Sequence, residues 1–246
     1  MTETVTKRQQ LTIKRGILAI VIMYACQLIA GTAISYAFKM ITPTNEIPIE
    51  IIGLASTLLS GIMILTFFWW DIRRSGESFY PEVGIQPSKI KKSKGLLLVI
   101  AALASTHLLA WIYRSVILPS MGHEGIIGGG SRMFNFIQTN GGVLEMSGFL
   151  LLALIVGPIM EEVVFRGYLQ SSLAKKLPAW VAILLTSIVF TIGHNPMILW
   201  PMYFLYSATW GWILLRTGSL RMAILIHILS NLFYAVVGFA GWEILA

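Results

Sequence analysis

The chain has 246 residues, of which 56% are apolar and only 12% charged, against about a quarter charged in a soluble domain. That balance excludes an ordinary soluble enzyme. The formal net charge of +7 suggests nucleic acid as a partner, but the placement of the basic residues argues otherwise.

Residues 1–15 are a basic tail carrying Lys7, Arg8, Lys14 and Arg15. Seven apolar stretches follow, at roughly Gly16–Phe38, Ile49–Trp70, Gly95–Leu118, Val143–Leu169, Ala179–His194, Met197–Leu215 and Met222–Leu245. About 20 apolar residues are enough to cross the hydrocarbon core. The fold class expected is therefore all-α, a polytopic transmembrane helical bundle of about seven spans. The first stretch is longer than a signal-peptide core and lacks a small-residue cleavage site, so it is expected to stay as a span. Cys26 is the only cysteine, which excludes an internal disulfide and any multi-cysteine metal site.

The connections are short. Lys39–Pro48, with Pro43 and Pro48, reads as an external turn. The loop 71–94 ends in a lysine-rich run, Ser88 to Lys94, suited to anionic lipid headgroups. The segment Pro119–Gly142 is rich in glycine and holds an apolar patch, Met133–Ile137. It reads as a mobile linker with a short interfacial helix. One membrane domain, 1–246, is expected, divided into the basic tail 1–15, variable spans and loops 16–142, and a motif-bearing core 143–246.

Of the loop and tail basic residues, fourteen fall on one side of seven spans, while Lys39, Arg114 and Arg132 fall on the other. The positive-inside rule then puts the N-terminus in the cytoplasm and the C-terminus outside. The basic residues orient the protein in a bilayer, and no nucleic-acid partner is expected.

Chemistry concentrates in the last hundred residues. Glu161, Glu162 and Arg166 interrupt an uncharged run from Gly148 to Met160, and an ionisable group inside a span costs about 3 kcal/mol or more. Three pairs share helical faces at i and i+4: Glu162 with Arg166, Phe190 with His194, and His227 with Asn231. Each pair alone reads most simply as structural: a salt bridge, a carbonyl-bonded histidine, and helix–helix glue worth ~0.6 kcal/mol per contact. Polar span residues face the bundle interior, so the three pairs are expected to converge on one polar cavity.

Together, Glu-Glu-x-x-x-Arg, Phe-x-x-x-His and His-x-x-x-Asn resemble the motif set of the CAAX-protease and bacteriocin-processing family (CPBP, or Abi). Its eukaryotic members are the Ras-converting CAAX endopeptidases. The resemblance covers residues 145–235, and all three motifs match in full. It implies an intramembrane endopeptidase acting on a membrane-associated peptide or protein, in bacteriocin- or pheromone-type processing or in immunity. By that resemblance Glu161 is the base that activates water and His194 helps to hold the water. His227 and Asn231 donate to the oxyanion. Glu162 and Arg166 pair to fix the helix face, and Phe190 packs beside His194.

Other mechanisms find little support. Asp71 is the only aspartate, so a two-aspartate mechanism is unavailable. His123-Glu124 lacks the second histidine of the zinc pattern His-Glu-x-x-His. A zinc ion held by Glu161, His194 and His227 stays open as an alternative, with a metal-independent mechanism preferred. The chief competing function is a non-catalytic scaffold of the same fold that binds a partner membrane protein. A proton-relaying transporter predicts paired broken helices and an internal repeat, and the sequence has no such repeat. Counted at ~1.5 Å per residue, Glu161 and His227 fall nearer the cytoplasmic side and His194 nearer the other, a mismatch of depth.

Overall fold

A computed structural model describes residues 10–42, 48–126 and 128–240. The basic tail before Gln10, Pro43 in the first turn and the last apolar stretch beyond Ala240 lie outside the described residues. Those described residues form helices and connecting turns, with no strand among them. Lipid offers no partner to a backbone N–H or C=O, so a lone apolar segment can satisfy its backbone only as a helix.

Eight helices follow in order. They are α1 (Ile13–Ile41), α2 (Ile49–Ser75), α3 (Lys92–Ser120), α4 (Gly129–Asn140), α5 (Val143–Leu173), α6 (Ala179–Ile192), α7 (Trp200–Thr217) and α8 (Leu220–Phe239). Six are long and apolar enough to cross a membrane, the one holding α7 counted from Met197. Leu28, Leu97 and Trp180 stand exposed on the outer faces, as lipid-facing side chains would. The protein is an integral, multi-pass membrane protein.

The fifth apolar stretch differs from the sequence expectation. Helix α6 has only 14 residues and rises about 21 Å, short of the roughly 30 Å hydrocarbon core. The chain turns at Gly193–Pro196 and returns as α7, which packs along α6. His194 sits in that turn, just past the end of the short helix.

The segment after α3 also differs. Helix α4 has twelve residues and buries Phe134 and Ile137. These pack with Leu54 of α2 and Phe149 of α5, and Phe134 meets Phe239 of α8 edge-on at 4.9 Å. The apolar patch packs into the bundle through Phe134 and Ile137.

At the other end of the bundle, polar ties close the core. Arg15 Nη2 reaches Asp71 Oδ2 at 2.6 Å, and the Tyr168 hydroxyl donates to the same oxygen at 2.6 Å. Lys175 Nζ meets Glu82 Oε2 at 2.8 Å, and the Leu11 N–H donates to that oxygen at 2.5 Å. Gly218, with φ 65°, caps α7 in the left-handed conformation that glycine tolerates. Around that cap the Lys89 N–H donates to Thr217 O at 2.8 Å, and the Ser219 hydroxyl donates to Gln86 O at 2.8 Å. Basic residues read as orienting charges thus also tie α1, α2, α5 and the loop 76–91 together.

Partial burial pushes the Glu82 carboxyl up, but Lys175, the Leu11 N–H and Arg15 outweigh it and hold it below its ordinary 4.5. A depressed folded-state pKa gives stability that is present above the unfolded value and lost as pH falls through the folded one. For this partly exposed pair the effect is small. Glu82→Gln is expected to lower the melting temperature by about 2 °C at pH 7. That gap from wild type should narrow as pH falls below the ordinary 4.5 and through the depressed folded-state value, checked by thermal unfolding in detergent across pH.

Candidate active site

The site begins with a break in the hydrogen-bond ladder of α5. Pro158 has no N–H to give, and just before it the helix widens into a π turn, Leu152–Val156. There the Gly157 N–H bonds Leu152 O, five residues back. Ala153 O therefore loses its α partner, Gly157, to its neighbour, while its π partner would be Pro158. An orphaned carbonyl in a membrane costs several kcal/mol. Asn231 of α8 fills the gap, its Nδ2 donating to Ala153 O at 2.7 Å.

Four residues past Pro158 the ladder widens again, and Glu162–Gln170 is a π-helix with all nine residues buried. Such widened turns occur frequently at functional sites. The two adjacent acids diverge here. Glu161 keeps 23% of its side chain exposed and Glu162 none, so only Glu161 can meet water directly.

Glu162 is held from two sides. Arg166 Nη1 lies 3.0 Å from Glu162 Oε1, and His227 Nδ1 lies 2.9 Å from the same oxygen. Arg166 is fully enclosed, and its Nη2 donates to Ser207 O at 2.9 Å and to Ser207 Oγ at 2.8 Å. Its guanidinium also lies 5.0 Å from the Phe190 ring centre and 5.2 Å from that of Trp210. One turn along, Gln170 Nε2 donates to Gly211 O at 3.0 Å. Ser207 and Gly211 are small residues one turn apart on α7, and they allow the close approach that membrane helices use for packing. A Cβ at Gly211 would sit 2.4 Å from Gln170 Oε1, so glycine is needed there.

Trp210 stacks on His227 at 3.7 Å between ring centres, 19° apart in plane. With Nδ1 on Glu162, the remaining ring nitrogen, Nε2, lies 3.9 Å from Glu161 Oε2. That gap is too long for a direct hydrogen bond and suits a bridging water. On α6, Phe190 stacks under His194 at 4.3 Å, and His194 Nδ1 lies 2.7 Å from Phe190 O. A carbonyl can only accept, so the proton is on Nδ1 and His194 Nε2 is free.

Glu161, His194, His227 and Asn231 line one cavity of about 520 Å³, as the convergence of three helix-spaced pairs requires. Phe190 lines it as well, while Glu162 and Arg166 are fully buried and do not line it. Sequence reasoning missed Ser207 and Trp210, which hold Arg166 and His227, and Tyr203, which meets His194 at 4.9 Å between rings. The small-residue spacing of Ser207 and Gly211 was the one legible signal among them.

Zinc finds no ready set of ligands. Among the described residues, no three His, Cys, Asp or Glu side chains are grouped so as to hold one ion. His227 and His194 each have Nδ1 bonded, to Glu162 and to the Phe190 carbonyl, which leaves Nε2 as the nitrogen either ring could offer an ion.

Removing one member of a fully buried ion pair strands the other charge. Arg166→Met is expected to cost on the order of 3–5 kcal/mol of stability. The double change Glu162→Gln, Arg166→Met should cost distinctly less. Unfolding in detergent, followed by tryptophan fluorescence, checks both.

Comparison with known proteins agrees with the motif-bearing half. The model of the Rce1-like family, the type II CAAX prenyl endopeptidases, matches residues 144–233. A putative membrane peptidase, YdiL, of Bacillus subtilis (strain 168) is 28% identical over 88 residues, 36% of each chain. The membrane-embedded CAAX protease MroQ of Staphylococcus aureus (strain USA300) is 30% identical over 98 residues, 36% of this chain and 38% of that protein. The chain thus spans little more than a third of either relative's length. No solved structure matches the chain significantly.

Proposed function

We propose, from the match of residues 144–233 to the Rce1-like family model, that the chain is a CAAX-protease-type intramembrane endopeptidase using glutamate-activated water. The observation that carries this reading is the gap between Glu161 Oε2 and His227 Nε2, 3.9 Å wide, on a cavity that His194 and Asn231 also line.

The reaction follows from the donors and acceptors present. Water in the gap gives a proton to Glu161 as its oxygen attacks the peptide carbonyl carbon. His194 Nε2, its lone pair free, accepts a second hydrogen bond from that water and fixes its direction. The carbonyl oxygen becomes an oxyanion. Asn231 still has one amide hydrogen after bonding Ala153 O, and that hydrogen serves the oxyanion. With its Nδ1–H given to Glu162, His227 donates from Nε2 to the oxyanion in its doubly protonated, imidazolium form. Collapse breaks the C–N bond, and the proton on Glu161 passes to the leaving nitrogen. Atoms and protons balance without a metal ion. The substrate class is a membrane-associated peptide or protein, of which bacteriocin or pheromone precursors are examples. On this reading the N-terminus lies in the cytoplasm, which the excess of basic residues on one side of the spans supports.

Glu161→Gln keeps the shape and removes the base. In purified protein it is expected to lower kcat on the order of 1000-fold, with unchanged unfolding temperature. His194→Ala should act similarly on kcat, and a metal chelator should leave wild-type cleavage unchanged. Full cellular function in Glu161→Gln would instead support a non-catalytic scaffold. Activity lost to the chelator and restored by zinc would replace the glutamate mechanism with a metal one.

A further inference from the structure

The cavity is unevenly charged. Glu161 is the only acid among its lining residues, while Arg114 and Arg132 stand on its wall away from the buried clamp. Arg114 lies in the π turn Tyr113–Ile117 of α3 and is half-buried. Its Nη2 donates to Ile126 O at 3.3 Å, and no carboxylate pairs with it among the described residues. Arg132 is exposed in the first turn of α4, where its backbone N–H donates to Gly128 O at 3.0 Å, and its guanidinium has no hydrogen-bonding or ionic partner among the described residues. An arginine there sits at the positive pole of its own helix, where a cation is disfavoured. No acid in that turn offsets it.

The wall between this end and Glu161 is continuous. The Tyr203 ring packs on His194, and its hydroxyl lies where a Cβ at Gly128 would come within 2.5 Å. Gly128 is the residue that opens α4. Only Lys39, Arg114 and Arg132 fall on the basic-poor side of the chain, and two of those three line this cavity. Orienting the protein in a bilayer requires neither of them there. Two guanidinium groups without acid partners, on the wall of a cavity that also holds the proposed base, have the chemistry that binds a carboxylate.

We propose that Arg114 and Arg132 form a carboxylate subsite that selects peptides bearing an acidic group to one side of the bond presented to Glu161. This rests on the endopeptidase reading and adds the chemistry of its substrate. The carboxylate is either an Asp or Glu side chain or a free chain end, since a guanidinium pair binds both in the same way.

The test uses the intact chain in nanodiscs and a fluorogenic peptide library. Each peptide is prepared with internal Glu or Gln, and with a free or amidated chain end. Wild type should favour one acidic form by about tenfold or more in kcat/KM, as charge-assisted bonds allow. The form preferred identifies the source. Arg114→Gln and Arg132→Gln should each bring the acid-to-neutral ratio towards one, and Arg114→Lys should retain part of it. Equilibrium binding of the same peptide pairs reads the subsite without cleavage. Acid-selective binding without turnover would sink the endopeptidase reading and keep the subsite. Turnover with equal rates on acidic and neutral peptides would overturn the subsite and keep the endopeptidase. If the two variants alter only a dependence on phosphatidylglycerol over phosphatidylcholine, the arginines hold a lipid headgroup and the subsite is likewise overturned.

Discussion

Glu162 and Arg166 have no exposed side-chain surface, and their closest atoms are 3.0 Å apart. Charges so placed are tolerated only when each has a partner and further hydrogen bonds. Those bonds come from two other helices, Ser207 on α7 and His227 on α8. Satisfying one ion pair therefore locks three helices in register. It also settles the orientation of the His227 ring, because a ring bonded at Nδ1 and stacked on Trp210 has only Nε2 left to present. Glu161, one residue away on the widened helix, is turned from the clamp and towards the cavity. The buried acid supports, and the half-open one is left for chemistry.

A second constraint is backbone-level. Pro158 breaks the ladder of α5, and the orphaned carbonyl of Ala153 is met by Asn231. Asn231 thus has a packing duty as well as a proposed catalytic one. The same residue ties α5 to α8 and lines the same cavity as Glu161, so the defect in the helix and the placement of a polar donor have one cause. Irregular backbone within a membrane protein is sustained where it is buried in protein or lines a cavity, and both conditions hold here.

Much of this was legible in the sequence. Apolar runs gave the helices, and the i, i+4 spacings of Glu162–Arg166, Phe190–His194 and His227–Asn231 each correspond to neighbours on one helix face. Two of these pairs are in direct contact, as ion pair and as stacked rings. What could not be read depends on contacts between helices. The hydrogen bond of His227 to Glu162 spans 65 residues, and nothing local to either residue announces it. Trp210 looked like any apolar residue of a span. The fifth stretch, read as Ala179–His194, ends close to where α6 stops at Ile192, but it was counted as a span although shorter than the roughly 20 residues a crossing needs. Arg114 and Arg132 were read as scattered external charges, since their shared cavity exists only once α3 and α4 are folded against α7.

The central claim is that Glu162 holds His227 through Nδ1 and leaves Nε2 facing Glu161. Nitrogen-15 NMR of histidine-labelled chain in nanodiscs tests it directly. The account predicts a downfield ring N–H signal from His227 that moves upfield in Glu162→Gln, where a charged acceptor becomes neutral, and stays in place in Glu161→Gln. A His227 signal indifferent to Glu162→Gln, or one that follows Glu161 instead, would contradict it.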